Sequence, residues 1–259
     1  MISLLLASLF TLIELNCENL FDTRHDSLKN DTEFLPEGSH HWTRTRYWHK
    51  LNDIGREIIA LGDDSAGWRL PDVVAMCEVE NDSVMYDLTK RSLLRKARYE
   101  YLMTDSPDER GIDVALMYNP VTFRPLSHHA IRIPLLPDMR PTRDILYVAG
   151  LAGEADTLHL FVVHAPSRMG GERASRPFRL QVVRRLITAI DSIRCCNLTH
   201  KSSLRATSTT MLTLLPSTVS ISTTCTTSRP QPAEPMGQGV PTVSGASGAR
   251  STRLSVAFL

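Results

Sequence analysis

The stretch Asp72-Val73-Val74-Ala75-Met76-Cys77-Glu78-Val79-Glu80-Asn81 joins an unbroken apolar run to a pair of glutamates. A short, continuous run of apolar and β-branched residues is typical of a strand that is buried on both faces, and we predict a strand over residues 72–77. The carboxylates that follow at once then lie at the end of this strand. The stretch therefore predicts both an interior strand and a candidate site at its end.

Similar apolar runs and helical patterns surround this strand. We predict further strands over residues 10–17, 111–118, 145–151 and 158–163. Apolar residues recur at three- and four-residue spacing over 48–61 and 177–193, which predicts two amphipathic helices, the second with Pro177 in its first turn. Alternating strands and helices indicate a layered α/β domain.

Two other predicted strands also end in polar residues. Leu15-Asn16-Cys17-Glu18-Asn19-Leu20-Phe21-Asp22 places Asn16 and Glu18 two positions apart, hence on one face of a strand. Phe161-Val162-Val163-His164-Ala165-Pro166-Ser167-Arg168 ends an apolar strand in a histidine and a basic loop. Carboxylate oxygens suit Mg²⁺, and a nearby histidine can move a proton or stabilise a negative oxygen. Together these strand ends favour phosphate chemistry.

The segment from His41 to Lys50 is both aromatic and basic. It has two interpretations: a surface that stacks bases and binds phosphates, or the entry to a helix whose aromatic residues pack inward. The second is the more common arrangement, and we prefer it here.

Composition divides the 259-residue chain near Ile193. The net charge of +1 gives no global electrostatic reason to expect a nucleic-acid or membrane binder, so anion recognition must come from a local cluster. After Ile193 the chain is rich in Ser and Thr and keeps one acidic residue, Glu234. We therefore expect an ordered domain over residues 1–194 and a disordered tail over 195–259.

The first 13 residues are apolar but lack the basic start of an export signal, and they are too short to span a bilayer. We expect no integral membrane segment. The alternative to a core strand is a signal peptide that has degenerated or whose start is wrongly assigned. The sequence therefore leaves open whether the protein is cytoplasmic or exported.

Four blocks of the sequence resemble the endonuclease/exonuclease/phosphatase superfamily of metal-dependent phosphoesterases. The blocks are residues 16–22, 77–81, 110–116 and 164–168, the last followed by Gly170 and Gly171. Their order and rough spacing fit across residues 10–193. The resemblance implies a four-layer α/β sandwich, in which two packed mixed sheets are flanked by helices, incomplete here at the C-terminus.

The resemblance also implies roles for individual residues. Glu78 is expected to be the principal metal carboxylate and Glu18 a second contact of the metal site, with Mg²⁺ or alternatively Mn²⁺ as the cofactor. Asn16 is expected to orient the network around the phosphate. His164 is expected to bond the scissile phosphate or to donate a proton. Three further residues have supporting roles, Arg168 and Arg110 at phosphate oxygens and Asp113 behind the site.

Two elements that the superfamily needs are missing after Ile193. One is an Asp-x-Asn motif whose Asp activates the attacking water, and the other is a terminal Asp-His pair; beyond Asp191 the chain has no Asp. Regrouping the possible codons of residues 201–213 by one base permits Ile-Ile-Val followed by Asp-Phe-Asn-Asp. The same shift over residues 236–252 permits a sequence that ends in Trp-Ser-Thr-Ile-Asp. We infer a one-base frame change between about Ile193 and Lys201.

These observations predict a Mg²⁺-dependent phosphodiesterase or phosphomonoesterase, with a phosphate ester as substrate and nucleic acid as one candidate. We expect a monomer. The present chain is expected to be inactive or nearly so, because the water-activating Asp is absent. The alternative is a non-catalytic protein that binds phosphate or nucleic acid and has a flexible tail.

Overall fold

The computed structural model describes residues 10–64, 67–152, 156–167, 171–199, 210–212 and 253–258. Its strands, in chain order, are β1 Leu12–Leu20, β2 Asp63–Asp64, β3 Gly67–Trp68, β4 Val73–Val79, β5 Glu100–Met103, β6 Asp113–Tyr118, β7 Phe123–Ile131, β8 Ile145–Ala152, β9 Asp156–Val163, β10 Thr210–Leu212 and β11 Arg253–Phe258. Its α-helices are α1 Arg44–Ala60, α2 Asp82–Tyr86 and α3 Glu172–Thr199. Short 3-10 turns lie at Thr32–Phe34 and Leu93–Lys96, and a π-helical turn lies at Asp87–Arg91.

The first sheet has the strand order β1-β4-β6-β5. The strands β1 and β4 run parallel, with Leu12 opposite Val73 and Asn16 opposite Cys77, so both strands end at the same edge of the sheet. The strand β6 runs antiparallel to β4. This arrangement brings the polar residues after β1 and β4 to one end.

The second sheet has the order β10-β11-β9-β8-β7. The strands β7, β8 and β9 form an antiparallel meander, and β11 pairs with β9 in parallel from Arg253 opposite Leu158 to Phe258 opposite Val163. In the segment after residue 194, residues 195–199 continue α3 and two short parts have strand backbone, so the helix crosses the expected boundary at 194. The expectation that this segment is a disordered tail stays a prediction, because most of it lies outside the described residues.

Apolar residues form three layers of core between four layers of structure. The inner faces of the two sheets meet through Ala75 and Cys77 on one side and Leu160 and Val162 on the other. The helix α1 covers the outer face of the first sheet, and α3 covers the outer face of the second, where Leu186 and Ile190 pack against strand residues. The order helix, sheet, sheet, helix confirms the predicted α/β sandwich.

Several element boundaries differ from the sequence-based expectation. The helix α3 begins at Glu172, so Pro177 lies inside the helix and not in its first turn. The strands β5 and β7 were not predicted; β7 contains Pro125 and mostly exposed polar residues, which obscure the strand pattern. The helix α1 begins at Arg44 and buries Tyr47, so the inward-packed interpretation of that segment is confirmed.

In the described part of the chain, the helices are either too short or too polar to cross a bilayer. The expectations for residues 1–9 lie outside the described residues.

Candidate active site

Glu78 is positioned by a β-bulge at the end of β4. Cys77 pairs with Val114 and Val79 with Asp113, so Glu78 is the additional residue between two regular pairs. Its φ of 59° lies in the left-handed region that favours glycine. Strict alternation would direct Glu78 to the outer face together with Val74 and Met76, and the bulge instead turns its carboxylate toward the gap between the sheets. Backbone strain of this kind costs about 1–3 kcal/mol and is concentrated at functional sites.

The end of β1 is bent in the same way. Glu18 and Asn19 have φ values of 52° and 61°, and the register with β4 shifts between Asn16 and Leu20. Asn16 Oδ1 accepts from the Glu18 N–H at 2.8 Å, which holds this turn, and the Asn19 N–H donates to Glu78 Oε2 at 2.9 Å. The turn therefore lies directly against the Glu78 carboxylate.

Glu78 and His164 meet across the two sheets. Glu78 Oε1 lies 3.3 Å from His164 Nε2, and both side chains are mostly buried. The hydrogen bond from His164 lowers the pKa of Glu78 despite the cost of burial, and the field of Arg110 acts in the same direction. Burial, with the nearby guanidinium groups of Arg143 and Arg110, lowers the pKa of His164. The pair is thus an ionised glutamate and a neutral histidine that donates its Nε2–H.

The other ring nitrogen of His164 is buried. Among the described residues, no group bonds to Nδ1 of His164. Since Nε2 carries the proton that Glu78 receives, Nδ1 holds the lone pair in this state. A buried lone pair without a partner is costly, so this face of the imidazole is suited to a ligand or to ordered water.

A buried ion pair, which the sequence did not indicate, anchors the loop after His164. Arg143 Nη1 donates to Asp108 Oδ2 at 3.0 Å and Nη2 donates to the Ala165 carbonyl at 3.1 Å; the side chains of Arg143 and Asp108 are 8% and 7% exposed. The signal available in the sequence was an arginine two residues before a predicted strand. Because the sequence does not reveal the pairing partner, an arginine at this position is interpreted as an exposed charge in a loop.

Asp113 lies beneath the site in a polar network. Its carboxylate accepts from the hydroxyls of Ser106 and Thr104 and from the Ser106 N–H. Burial raises the pKa of Asp113, and these hydrogen bonds oppose the rise. Asp113 thus ties the 104–106 segment to the first sheet; the supporting role in catalysis stays a prediction.

Arg110 approaches the site from the loop before β6. Its Nη1 donates to Asn19 Oδ1 at 3.4 Å. Arg168 lies outside the described residues, so its expected contact with phosphate has no structural outcome.

A cavity of about 710 Å³ opens beside the site, between the end of β1 and α1. It is lined by Asn16 and Glu18 on one side and by Lys50 on the other, and Lys50 Nζ donates to the Glu18 carbonyl. The Glu18 side chain is exposed at this opening. Glu78 and His164 do not line the cavity, which therefore flanks their contact and does not enclose it.

The structure thus brings together Asn16, Asn19, Glu78, Arg110 and His164, with Glu18 at the margin. No three His, Cys, Asp or Glu side chains in the described ranges are arranged to hold a metal ion together. Mg²⁺ is commonly held by one or two carboxylates while water and substrate phosphate complete its shell. The ionised Glu78 fits this limited demand, whereas it would not suffice for a closed zinc site.

Residues 11–202 match the sequence profile described as "Endonuclease/Exonuclease/phosphatase family", which is most of the chain. The chain belongs to the endonuclease/exonuclease/phosphatase family. Members of this family include hydrolytic enzymes, and the match covers every described residue of the candidate site. Among curated proteins, none matches the sequence significantly.

Solved structures with the fold of the endonuclease/exonuclease/phosphatase family are similar to this chain at low identity. A humanized D. rerio TDP2 is 17% identical with a TM-score of 0.40, covering 67% of this chain and 57% of its own. The human Nocturnin catalytic domain with bound sulfate is 16% identical with a TM-score of 0.39, covering 56% and 52%. A family protein from Bacteroides thetaiotaomicron is 13% identical with a TM-score of 0.42, covering 71% and 59%. The chain spans less than two thirds of each of these proteins.

Proposed function

We propose that the site is the amino-terminal half of a Mg²⁺-dependent phosphoesterase centre, and that this chain lacks the other half. The observation that carries the proposal is the contact between Glu78 and His164, which joins the two sheets at a strained bulge. A structural ion pair would not require a non-glycine residue at positive φ. Selection for the position of the carboxylate explains that strain.

Glu78 and Glu18 would hold the cation, which would supply Lewis-acid polarisation of the phosphate and charge neutralisation. Glu78 is already ionised, so it needs no proton loss to serve as a ligand. When Glu78 turns away from His164, the Nε2–H becomes free to donate to a phosphate oxygen. Asn16 and Arg110 flank the same space and can orient the substrate.

Water activation is the step that this proposal assigns to no residue of the present chain. A general base must lie within hydrogen-bonding reach of the water, and its loss costs orders of magnitude in rate. The missing Asp-x-Asn element supplies that base in the expected full-length protein. The family match ends at residue 202, just past the interval in which we place the frame change. The position of this end supports loss of the later motifs through a frame change and not through gradual divergence of the sequence.

Hydrolysis of a generic phosphodiester, bis-p-nitrophenyl phosphate, tests the proposal. The frame-restored protein should hydrolyse it only with Mg²⁺ or Mn²⁺, and the present chain should show little or no turnover. Glu78→Ala in the restored protein should abolish turnover. A restored protein without metal-dependent hydrolysis would leave the alternative, a non-catalytic binding protein.

A further inference from the structure

A single peptide group links α1 to the Glu78 carboxylate. The carbonyl of Glu18 accepts from Lys50 Nζ, and the N–H of Asn19 donates to Glu78 Oε2 at 2.9 Å. The Glu18 carbonyl and the Asn19 N–H belong to the same planar peptide unit, in which they point in opposite directions. Lys50 and Glu78 therefore hold the two ends of one rigid group.

The backbone on both sides of this peptide is strained. Glu18 and Asn19 have φ values of 52° and 61°, which residues other than glycine rarely adopt. Rotating the Glu18–Asn19 peptide by about half a turn would return φ of Asn19 to the ordinary negative range. The same rotation would turn the carbonyl oxygen toward the Glu78 carboxylate and break the bond from the N–H. The contact with Lys50 opposes this rotation, because it holds the carbonyl on the α1 side.

Lys50 is itself held in place. The helix α1 packs on the first sheet through the buried residues Leu51 and Ile54, next along the helix from Lys50. The Lys50 Nζ lies 5.7 Å from the centroid of the Trp42 ring, and a cation is attracted to the face of an indole. Trp42 Nε1 donates to the Phe21 carbonyl at 2.8 Å, which attaches the ring to the segment just after β1.

The charge of Lys50 also strengthens the bond from Asn19 to Glu78. A cation that donates to an amide oxygen draws electron density from the nitrogen and makes the N–H a better donor, as in other chains of hydrogen bonds. The ion pair of Glu78 is with His164, so Lys50 reaches the carboxylate through the peptide. Lys50 thus affects the direction and the strength of the bond from Asn19.

We infer that Lys50 is a positioning residue that acts on Glu78 through the Glu18–Asn19 peptide. Its part in the reaction rests on the proposed phosphoesterase site. Asn19 holds Oε2 of Glu78 and His164 holds Oε1, so the plane of the carboxylate is fixed before a cation binds. A ligand carboxylate that is already oriented binds a metal ion at a smaller cost in side-chain entropy.

Hydrogen exchange of the Asn19 amide, followed by nuclear magnetic resonance on the full chain in EDTA, tests the inference. Lys50→Met keeps the apolar stem and removes the ammonium group. It should accelerate exchange of the Asn19 amide at least about tenfold, since a charge-assisted hydrogen bond no longer holds the peptide. Lys50→Arg keeps a cationic donor and should restore exchange to within about threefold of the parent rate.

The matched control is Lys90→Met. Lys90 Nζ also donates to a backbone carbonyl, that of Tyr99 at 2.6 Å. Tyr99 lies just before β5, at the end of the first sheet opposite to Glu78. The control should leave exchange of the Asn19 amide unchanged. Unchanged exchange in Lys50→Met, or equal acceleration in both methionine variants, would overturn the inference.

A double-variant cycle tests whether the effect passes to Glu78. In Glu78→Ala the Asn19 N–H loses its acceptor, so its amide should already exchange rapidly. Adding Lys50→Met should then accelerate exchange by less than about twofold, because the two substitutions break one chain of hydrogen bonds. Full acceleration by Lys50→Met in the Glu78→Ala background would show that Lys50 acts elsewhere, and it would also overturn the inference.

Failure of the proposed function has a separate readout, because the exchange measurements are made without a metal ion. If Mn²⁺ does not bind at Glu78 but exchange of the Asn19 amide responds to Lys50, the catalytic proposal fails and the link from Lys50 to Glu78 stands. If Mn²⁺ binds at Glu78 and exchange of the Asn19 amide does not respond, the link fails and the catalytic proposal stands.

Discussion

Glu78 Oε1 and His164 Nε2 lie 3.3 Å apart although their residues end strands of two different sheets. The contact closes one end of the space between the sheets. It depends on the bulge at Glu78 on one side and on the anchored 164–167 loop on the other. Any change that moves either support should alter the site before it unfolds the protein.

Two substitutions of Glu18 distinguish the cost of its strained backbone from the role of its carboxylate as a metal ligand. Glu18→Gly removes the steric conflict at φ 52° and should raise the free energy of unfolding by about 1 kcal/mol, while metal affinity falls. Glu18→Gln should lower metal affinity with no gain in stability. Urea unfolding and Mn²⁺ titration of both variants measure the two effects. Equal stability of the two variants would show that the turn is not strained.

Arg143 and Asp108 form the buried ion pair that fixes the loop after His164. Arg143→Ala leaves Asp108 buried without its partner and should destabilise the protein by about 3 kcal/mol. The exposed pair Arg56 and Asp53 provides the control, and Arg56→Ala should cost less than about 0.5 kcal/mol. Denaturant unfolding of the two variants tests this, and similar losses would mean that the Arg143 pair contributes no more than a surface pair.

The raised pKa of Glu14 predicts that the stability of the protein depends on pH. Burial on β1 raises the pKa of Glu14 from 4.5 to about 7. Between these two values the folded state keeps a proton on Glu14 that the unfolded state has released. The contribution of Glu14 to the free energy of unfolding is therefore fully present below pH 4.5 and is lost as the pH rises through 7. The loss should be about 1 kcal/mol, since the side chain is only half-buried and water screens it. Glu14→Gln should remove this part of the dependence in unfolding curves between pH 5 and pH 8, and an unchanged curve would refute it.

The frame change makes a prediction about the gene. Independent sequencing across the codons of Ile193 to Lys201 should show that inserting or deleting one base restores an open frame with Asp-Phe-Asn-Asp and a downstream Trp-Ser-Thr-Ile-Asp. An unbroken frame, with neither motif in the shifted translation, would remove the explanation for the missing elements.

Sequence patterns predicted the interior strands well because burial on both faces leaves an unbroken apolar run, as in β4 and β9. They could not predict the direction of Glu78, since alternation assigns it to the outer face and only the bulge reverses this. Pro125 and the polar residues of β7 concealed an edge strand, because edge strands tolerate both.

Pairs of residues that are distant in the sequence also could not be predicted. Arg143 and Asp108 are 35 residues apart, and nothing in their local sequence indicates that the fold buries them together. The positions of Glu78 and His164 at strand ends were predictable because each comes at the end of an apolar run. Their partners inside the protein were not, since partnership depends on how the two sheets pack.

The role of Glu78 as metal carboxylate is tested most directly by titrating the chain with Mn²⁺. Binding is measured as the loss of the free-ion signal in electron paramagnetic resonance. The parent chain should bind one Mn²⁺, and Glu78→Gln should weaken binding at least about tenfold through loss of the ligand carboxylate. Glu80→Gln is the control: burial raises the pKa of Glu80 to about 8, so this side chain is already neutral at pH 7 and its replacement should leave binding unchanged. Mn²⁺ binding that is unaffected by Glu78→Gln, or equally affected by both substitutions, would contradict the assignment of Glu78 as the metal carboxylate.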